Sequence, residues 1–291
     1  MRTFLRDLKL LVKGLVLIAN VLPIVSGFAL ALFYTNASFS AYWEIFLITA
    51  IGGTLVIAGA LILNNWYEVD LDRAMHRTQY RPTVTGNISL QTVLVLGISL
   101  TVIGFIFMAF TTVQAFIFAF LGWFTYVVPY TFWTKRRYTL NTVVGSVSGA
   151  FTPLIGWAIV ETSFHVVPIV IFILLFLWQI PHTFAIAMRR HEDYKAANVP
   201  MLPVVYGFDI TKRQNAIYIA AMLPFPFFLF EIGGGFVIMA TVINIAWLIY
   251  AIRGIFQKDN EKYANEMFYI SLTYLTIVFG LMIILTLPFF N

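Results

Sequence analysis

An amide and two carboxylates recur at intervals of four residues in the segment that begins at Asn64. Each residue turns an α-helix by about 100°, so on a continuous helix Asn64, Glu68 and Asp72 share one face and Asp70 lies on another. Oxygen ligands of this kind suit a hard cation such as Mg²⁺, which commonly joins protein carboxylates to substrate phosphates. The spacing therefore predicts a metal site that uses Asn64, Glu68 and Asp72.

Basic residues lie close enough to this acidic segment to bind the phosphates of such a substrate. Arg77 and Arg81 follow it directly, and Lys135 begins a second basic run. Guanidinium groups bind phosphate oxygens through paired hydrogen bonds. A solvated, charged helix end, with ordinary loop charge at Lys135, is the alternative interpretation. Three of the chain's 13 acidic residues lie between Glu68 and Asp72, and this concentration favours a site.

A second polar segment runs from Trp178 to Lys195. On a continuous helix His182, Arg190 and Asp193 fall on one face. Ionisable groups in membrane helices are costly and usually face an interior cavity, so we predict that His182 contacts a substrate. A histidine bonded to a neighbouring carbonyl at the membrane interface is the alternative. Neutral imidazole is a common metal ligand, but one histidine alone does not establish ligation.

The elements that position these side chains must be membrane helices. The 291 residues are 60% hydrophobic and 11% charged, with no cysteine and a mean hydropathy of +0.88, so the fold class is an all-α integral membrane protein and thiolate metal sites are excluded. No linker divides the chain, and we predict a single transmembrane domain over residues 1–291. A span needs about 20 apolar residues. About nine runs qualify, at roughly 15–34, 43–63, 90–110, 113–133, 143–160, 166–186, 215–233, 236–252 and 268–289.

Charge is distributed unequally between the loops that these spans define. All 18 Lys and Arg residues fall on one side, and the opposite loops carry only Glu44, Glu161 and Glu231. The positive-inside rule predicts that the basic side, with the N-terminus, is cytoplasmic and that Asn291 lies outside. The basic start and long first apolar run are interpreted as a membrane helix, not a cleaved signal. The predicted location is the cell membrane, with both polar segments on the cytoplasmic face.

At these two segments the chain resembles the UbiA superfamily of intramembrane prenyltransferases, and it looks most like the branch that farnesylates protohaem IX. The first set of matching residues is Asn64-Asn65, Glu68, Asp70, Asp72, Met75, Arg77-Thr78 and Arg81-Pro82. The second set is Trp178-Gln179-Ile180-Pro181-His182, Ala185 to Ala187, Arg190, Asp193-Tyr194 and Pro200-Met201-Leu202-Pro203-Val204-Val205. Lys135-Arg136, Asn141, Gly149-Ala150, Pro153 and Gly156-Trp157 also fit. Position 68 is Glu where the superfamily usually has Asp, and the carboxylate is retained.

The resemblance implies a nine-helix bundle that uses Mg²⁺ to transfer a farnesyl group from farnesyl diphosphate to haem B, giving haem O. It implies a catalytic and metal-binding set of Asn64, Glu68, Asp72 and Asp193. The substrate-binding residues that it implies are Arg77, Arg81, Lys135, Asn141, His182, Arg190 and Tyr194. A haem A synthase is the expected partner enzyme, the lipid bilayer is the expected medium, and no nucleic acid is expected.

Three other functions remain open at this point. A UbiA-type enzyme acting on a quinone precursor or another aromatic acceptor would share the first motif. A transporter would place ionisable residues at mid-membrane, whereas here nearly all charge lies on one face. A non-catalytic haem-binding assembly protein would not need the carboxylates of Glu68 and Asp72.

Overall fold

The computed structural model describes residues 2–286, except that the side chains of residues 2–5 are not described; the end of the last predicted span and Asn291 lie outside the described residues. Within this part of the chain every regular element is helical. The α-helices are α1 (Arg2–Leu11), α2 (Gly14–Thr35), α3 (Phe39–Tyr67), α4 (Val69–Ala74), α5 (Pro82–Thr85), α6 (Leu90–Ala109), α7 (Val113–Thr125), α8 (Asn141–Ala150), α9 (Thr152–Trp157), α10 (Val166–Arg189), α11 (His191–Ala196), α12 (Leu202–Ala221), α13 (Gly234–Ile255) and α14 (Asn260–Thr286). A π-helix, Tyr126–Trp133, and a 3₁₀ turn, Thr134–Arg136, continue α7, and the 3₁₀ segment Phe225–Ile232 continues α12.

Eight of the described helical segments are long and apolar enough to cross a membrane. They correspond to eight of the predicted spans, so the chain is a multi-pass membrane protein and the predicted fold class is confirmed. The seventh span begins earlier than predicted, because α12 starts at Leu202 and passes through Gly207, whose φ of 80° is non-helical. A residue without a side chain adopts this left-handed geometry at little cost.

The predicted span 143–160 is two short helices, α8 and α9. Pro153 has no amide hydrogen, so it cannot donate to the carbonyl of Gly149 as a helical residue would. The hydroxyl of Thr152 donates to that carbonyl at 2.6 Å instead. The helix therefore divides without leaving the carbonyl unpaired in the membrane, where such a group is costly.

Helices α2 and α9 approach each other at two glycines. A Cβ on Gly27 would overlap the carbonyl of Pro153, and a Cβ on Gly156 would overlap the carbonyl of Ile24. Small residues allow membrane helices to approach closely enough for dense van der Waals packing. The positions of α2 and α9 therefore depend on both glycines.

Contacts between loops distinguish the two ends of the bundle. At one end Arg136, just after α7, bonds Asp70 on α4. At the other end Gln114, at the start of α7, accepts from the backbone of Ser163 at 3.0 Å. The end near Asp70 and Arg136 also contains the two polar segments that the sequence singled out.

Candidate active site

The first acidic segment spans the junction between α3 and α4, and the junction preserves helical bonding. Glu68 lies between the two helices and donates its amide to the carbonyl of Asn64 at 3.0 Å, and Asp72 donates to the carbonyl of Glu68 at 2.8 Å. These bonds keep Asn64, Glu68 and Asp72 on one side, and all three are buried. Asp70 projects elsewhere, with its side chain 61% exposed. The predicted division of the acids between two faces is therefore confirmed.

Glu68 is held by an amide and an ammonium group. Its Oε1 accepts from Nδ2 of Asn64 at 2.7 Å, and its Oε2 accepts from Nζ of Lys135 at 2.5 Å. The same Asn64 amide also donates to the hydroxyl of Thr131 at 3.0 Å, while its Oδ1 accepts from Nζ of Lys13 at 2.5 Å. Both carboxylate oxygens of Glu68 are therefore directed at donors, although the side chain is almost fully buried.

Asp72 pairs with the guanidinium group of Arg81. Nη1 of Arg81 donates to Oδ2 of Asp72 at 2.5 Å and to Oδ1 of Asn65 at 2.9 Å. The hydroxyl of Thr78 donates to the backbone carbonyl of Asp72 at 2.9 Å. The loop after α4 therefore folds back over α3 and returns Arg81 to the acidic face.

We call Lys13, Glu68, Asp72, Arg81 and Lys135 the buried charge cluster. Burial and the nearby guanidinium of Arg81 hold the pKa of the Lys13 ammonium well below its usual range, while Glu68 and Asp72 act in the opposite direction. Burial acts to raise the pKa of Glu68, but the ammonium groups of Lys135 and Lys13 outweigh it, so this pKa lies below its usual range. Each charge thus influences the others across a poorly hydrated space. Arg81 and Lys135 are each paired with a carboxylate, and Lys13 is the additional basic side chain of the cluster.

Asp70 fixes the loop that carries Lys135. Arg136 donates to both carboxylate oxygens of Asp70 at 2.7 Å, donates to the carbonyl of Tyr67 at 3.0 Å, and lies over the Tyr67 ring. The hydrogen bond and charge of Arg136 outweigh the smaller effect of desolvation and lower the pKa of Asp70. This clamp joins the end of α7 to α4 beside the buried charge cluster.

The second polar segment passes through a junction between two helices, so it is not one unbroken helix. Helix α10 ends at Arg189, Arg190 has non-helical backbone angles and an exposed side chain, and α11 begins at the next residue. Helical bonds nevertheless continue through Arg190, whose amide donates to the carbonyl of Ile186 at 3.0 Å and whose carbonyl accepts from the amide of Tyr194 at 3.0 Å. The shared face of His182 and Asp193 therefore stays a prediction. Oδ1 of Asp193 accepts from the backbone amide of His76 at 2.9 Å.

Tyr194 makes a second connection between α11 and the loop after α4. Nη2 of Arg77 donates to its hydroxyl at 3.1 Å, and the guanidinium lies over its ring. Together with Asp193, Tyr194 links the two predicted motifs across the mouth of the site. In the described part of the chain, however, Glu68, Asp72 and Asp193 do not converge into a group of three able to hold one metal ion.

Asp193→Asn is expected to weaken use of the diphosphate substrate that the sequence resemblance implies about fivefold, while turnover at saturation changes less. A hydrogen bond to a charged acceptor is worth about 1 kcal/mol more than a neutral one, and this difference corresponds to roughly that factor. The loss would loosen the loop that carries Arg77 and Arg81. Steady-state kinetics with varied diphosphate substrate would measure the effect.

Glu192→Gln is the matched control for Asp193→Asn, because Glu192 precedes Asp193 and its side chain is 84% exposed. Equal behaviour of the two variants would show that the bond to His76 is not important for the site.

A cavity of about 530 Å³ lies next to the buried charge cluster. Pockets that enclose a small molecule typically measure about 300–1,000 Å³. Tyr130 connects the two, since its ring lines the cavity and lies beneath the ammonium group of Lys135. The rest of the wall is mainly apolar, and the small residues Gly145, Ser146 and Gly149 of α8 widen it.

The cavity also reaches the outer surface of the bundle. Leu15 and Val16, at the start of α2, belong to its wall and are 81% and 45% exposed. This apolar opening therefore suits the entry of an amphiphile from the bilayer.

His182 and Asn141 occupy different surroundings. His182 lines the cavity, and its Nδ1 lies 2.8 Å from the hydroxyl of Ser271. Asn141 is fully buried; its Nδ2 donates to the carbonyl of Pro200 at 3.2 Å and its Oδ1 accepts from the hydroxyl of Thr142. The observed bonds of Asn141 are thus within the protein, and its contact with a substrate stays a prediction.

Sequence reasoning did not assign three residues that the structure brings to the site. Lys13 reaches Asn64 from the turn between α1 and α2, where its φ of 49° is unusual for a residue with a side chain. Thr131 and Tyr130 belong to the π-helix, a form that is frequent at functional sites. The sequence shows the charge of Lys13. No pattern in the sequence predicts the backbone conformation at Lys13 or the π-helix.

The chain is similar to a known protein family and to named relatives. A sequence profile of the UbiA prenyltransferase family matches residues 20–273. Protoheme IX farnesyltransferase of Oceanobacillus iheyensis is 51% identical over 289 residues, covering 99% of this chain and 92% of the relative. Protoheme IX farnesyltransferase 2 of Bacillus subtilis is 49% identical over 282 residues, covering 97% of this chain and 92% of the relative.

A solved structure supports the same fold. The UbiA homolog from Archaeoglobus fulgidus bound to DMAPP and Mg²⁺ superposes with a TM-score of 0.71 at 18% identity, covering 95% of this chain and 99% of that one. At this level of identity the likeness shows the fold.

Proposed function

The chain belongs to the UbiA prenyltransferase family, and we propose that it transfers the farnesyl group of farnesyl diphosphate to a vinyl group of haem B, giving haem O and diphosphate. The relatives that match nearly its whole length are protoheme IX farnesyltransferases. The carrying observation is the pair of buried carboxylates, Glu68 and Asp72, each bound to a cation beside an apolar cavity. We further propose that residues 1–291 act as one transmembrane domain.

The oxygen atoms of the first motif fit Mg²⁺. Oδ1 of Asn64, Oε2 of Glu68 and Oδ2 of Asp72 each face a cationic side chain, so the set already accommodates positive charge. Mg²⁺ is typically held by one or two carboxylates together with substrate phosphates and water, and two carboxylates meet this requirement. The Mg²⁺ in the Archaeoglobus fulgidus homolog supports the proposal. When bound, the ion would help to neutralise the diphosphate charge.

The side chains of the buried charge cluster would stabilise the leaving diphosphate. Lys13, Lys135 and Arg81 lie close enough to interact electrostatically, and Lys135 lies over Tyr130 of the cavity wall, so negative charge that develops as the C–O bond breaks would meet basic side chains. The allylic cation left behind reacts with the haem vinyl group, which forms a C–C bond. Water then adds to the haem-side cation and loses a proton, giving the hydroxyethylfarnesyl group.

Aromatic rings and apolar walls would protect these cations. Tyr126, Tyr130 and Trp123 line the cavity, and the faces of aromatic rings attract positive charge. The apolar wall limits access of stray water to the allylic cation. Arg77, Arg190 and Tyr194 remain proposed substrate contacts at the mouth, and Asp193 is proposed to support the diphosphate site from α11.

We propose that the buried charge cluster faces the cytoplasm and that the protein resides in the plasma membrane, with its N-terminus inside and its C-terminus outside. The one-sided distribution of all 18 Lys and Arg residues supports this orientation. A haem A synthase that oxidises the product is the proposed partner enzyme.

The proposal predicts that the purified protein converts haem B and farnesyl diphosphate to haem O only with Mg²⁺ present. Chelation with EDTA and the Asp72→Ala variant should each abolish the heavier, more retained haem in chromatography with mass detection. Asp209→Ala, which removes an exposed carboxylate, should retain activity.

Two other outcomes would contradict the proposed function. Prenylation of an aromatic quinone precursor in place of haem would keep the chemistry but change the acceptor. Tight haem binding without any product would favour a haem-binding assembly protein.

A further inference from the structure

The imidazole of His182 is held rigidly in the cavity wall. Its ring stacks on Trp178 at a centroid distance of 4.8 Å and on Phe268 at 5.3 Å, with interplanar angles of 15° and 25°. Trp178 in turn donates its indole N–H to the carbonyl of Ser271 at 2.8 Å. Stacking on two neighbours and the contact with Ser271 together fix the plane of the imidazole ring.

The hydrogen bonds of Ser271 define which ring nitrogen carries the proton. The hydroxyl of Ser271 donates its single hydrogen to the carbonyl of Phe268 at 2.6 Å. Its oxygen can therefore only accept at the 2.8 Å contact with Nδ1 of His182. Nδ1 carries the hydrogen, and Nε2 keeps its lone pair.

Nε2 of His182 is available from the cavity. In the described part of the chain it makes no hydrogen bond, and it is not among the occluded polar atoms. His182 borders the cavity, and among the described residues that line it no other side chain is acidic or basic. An acceptor nitrogen with no proton does not attract a carboxylate, so a haem propionate is a poor partner for it. A metal centre suits this lone pair.

We infer that Nε2 of His182 ligates the iron of the acceptor haem and that Ser271 is a positioning residue for that ligand. This inference rests on the proposed function only for the identity of the ligand. Histidines that bind metals commonly donate their other ring N–H to a fixed acceptor, which sets the tautomer and orientation. Ser271 is such a fixed acceptor for Nδ1 of His182. Histidine is a common axial ligand of haem iron.

Iron ligation would orient the porphyrin for the reaction. His182 of α10 would hold the iron, and Ser271 of α14 would support His182. The porphyrin would then occupy the apolar part of the cavity, and a vinyl edge could face Tyr130 and the buried charge cluster. The His182 ligand would thereby restrict which edge of the haem meets the farnesyl cation, which is a form of substrate orientation.

The test uses optical and electron paramagnetic resonance spectra of the full chain in nanodiscs, titrated with ferric haem B. Wild type should show a histidine-ligated iron signature. His182→Gly should lose it, and added imidazole should restore it. Ser271→Ala should retain the signature with about tenfold weaker haem affinity, the size of effect typical for loss of a partner behind a metal ligand.

His191→Ala is the matched control, because His191 lies on the cytoplasmic segment and pairs with Glu192; its spectrum should equal that of wild type. An unchanged iron spectrum in His182→Gly would overturn the inference even if haem affinity falls, since the contact would then be with the ring or a propionate.

The spectra and the product assay separate the inference from the proposed function. Formation of haem O without a histidine signature in wild type would overturn iron ligation and leave the function intact. A histidine signature that depends on His182 in a protein that forms no haem O would support ligation and reject the transferase.

Discussion

Glu68→Gln is expected to lower farnesyl transfer about 10²- to 10³-fold, the range seen when one preorganised electrostatic contact is removed from an active site. Glutamine keeps the size of the side chain but loses the charge that balances Lys135 and Lys13. Its NH₂ group must also face a donor, because both oxygens of Glu68 accept hydrogen bonds. Single-turnover rates of haem O formation would measure the loss.

Glu68→Asp provides the conservative comparison. It restores the carboxylate on a shorter arm, and the UbiA superfamily usually has Asp at this position. We therefore expect Glu68→Asp to keep far more activity than Glu68→Gln. Thermal melting should show that both variants are folded. If Glu68→Gln retained more than a tenth of wild-type activity, the carboxylate would not have the role assigned to it.

Gly156→Ala is expected to destabilise the folded protein by about 3 kcal/mol or more, the upper range for inserting a methyl group into a packed core. The added Cβ would overlap the backbone carbonyl of Ile24, and backbone cannot rotate away as a side chain can. Helix α9 would have to move from α2, which would also disturb the cavity wall at Pro23 and Ile155. Thermal unfolding in detergent, followed by size-exclusion chromatography, would measure the loss.

Gly280→Ala is the matched control for Gly156→Ala, because a Cβ at Gly280 in α14 meets no atom of another described segment within 4 Å. Alanine is favoured over glycine in a helix by about 1 kcal/mol, so this variant should be as stable as wild type or more so. Equal melting temperatures for Gly156→Ala and Gly280→Ala would show that the α2–α9 contact is looser than its geometry indicates.

The sequence predicted the membrane spans and the first motif well because both depend on local properties. Hydropathy over about 20 residues identifies a span, and the four-residue spacing of Asn64, Glu68 and Asp72 survives the α3–α4 junction since the helical bonds continue through it. The irregular backbone at Arg190 followed from no residue pattern, so the junction between α10 and α11 was not predicted, and the shared face of His182 and Asp193 stays a prediction. The sequence did not predict that the span 143–160 divides into α8 and α9 near Pro153, where the hydroxyl of Thr152 bonds the carbonyl of Gly149.

The partners of the acids were beyond prediction for a different reason. Lys13 is 51 residues from Asn64, and Lys135 is 67 residues from Glu68. Such pairs depend on how helices pack, which the spacing of charges along one chain does not specify. The sequence indicated phosphate-binding cations at Arg81 and Lys135, whereas their ion pairs with Asp72 and Glu68 required the structure.

The side opening of the cavity at Leu15 and Val16 affects how the enzyme must be assayed. A substrate that enters from lipid reaches the cavity by diffusion within the membrane plane. The fraction of cavities that hold substrate therefore depends on the mole fraction of substrate in the membrane or micelle. Adding detergent at constant total substrate dilutes that surface concentration and should lower the rate without any inhibitor. Apparent Michaelis constants for this protein are therefore comparable only at a fixed ratio of substrate to amphiphile.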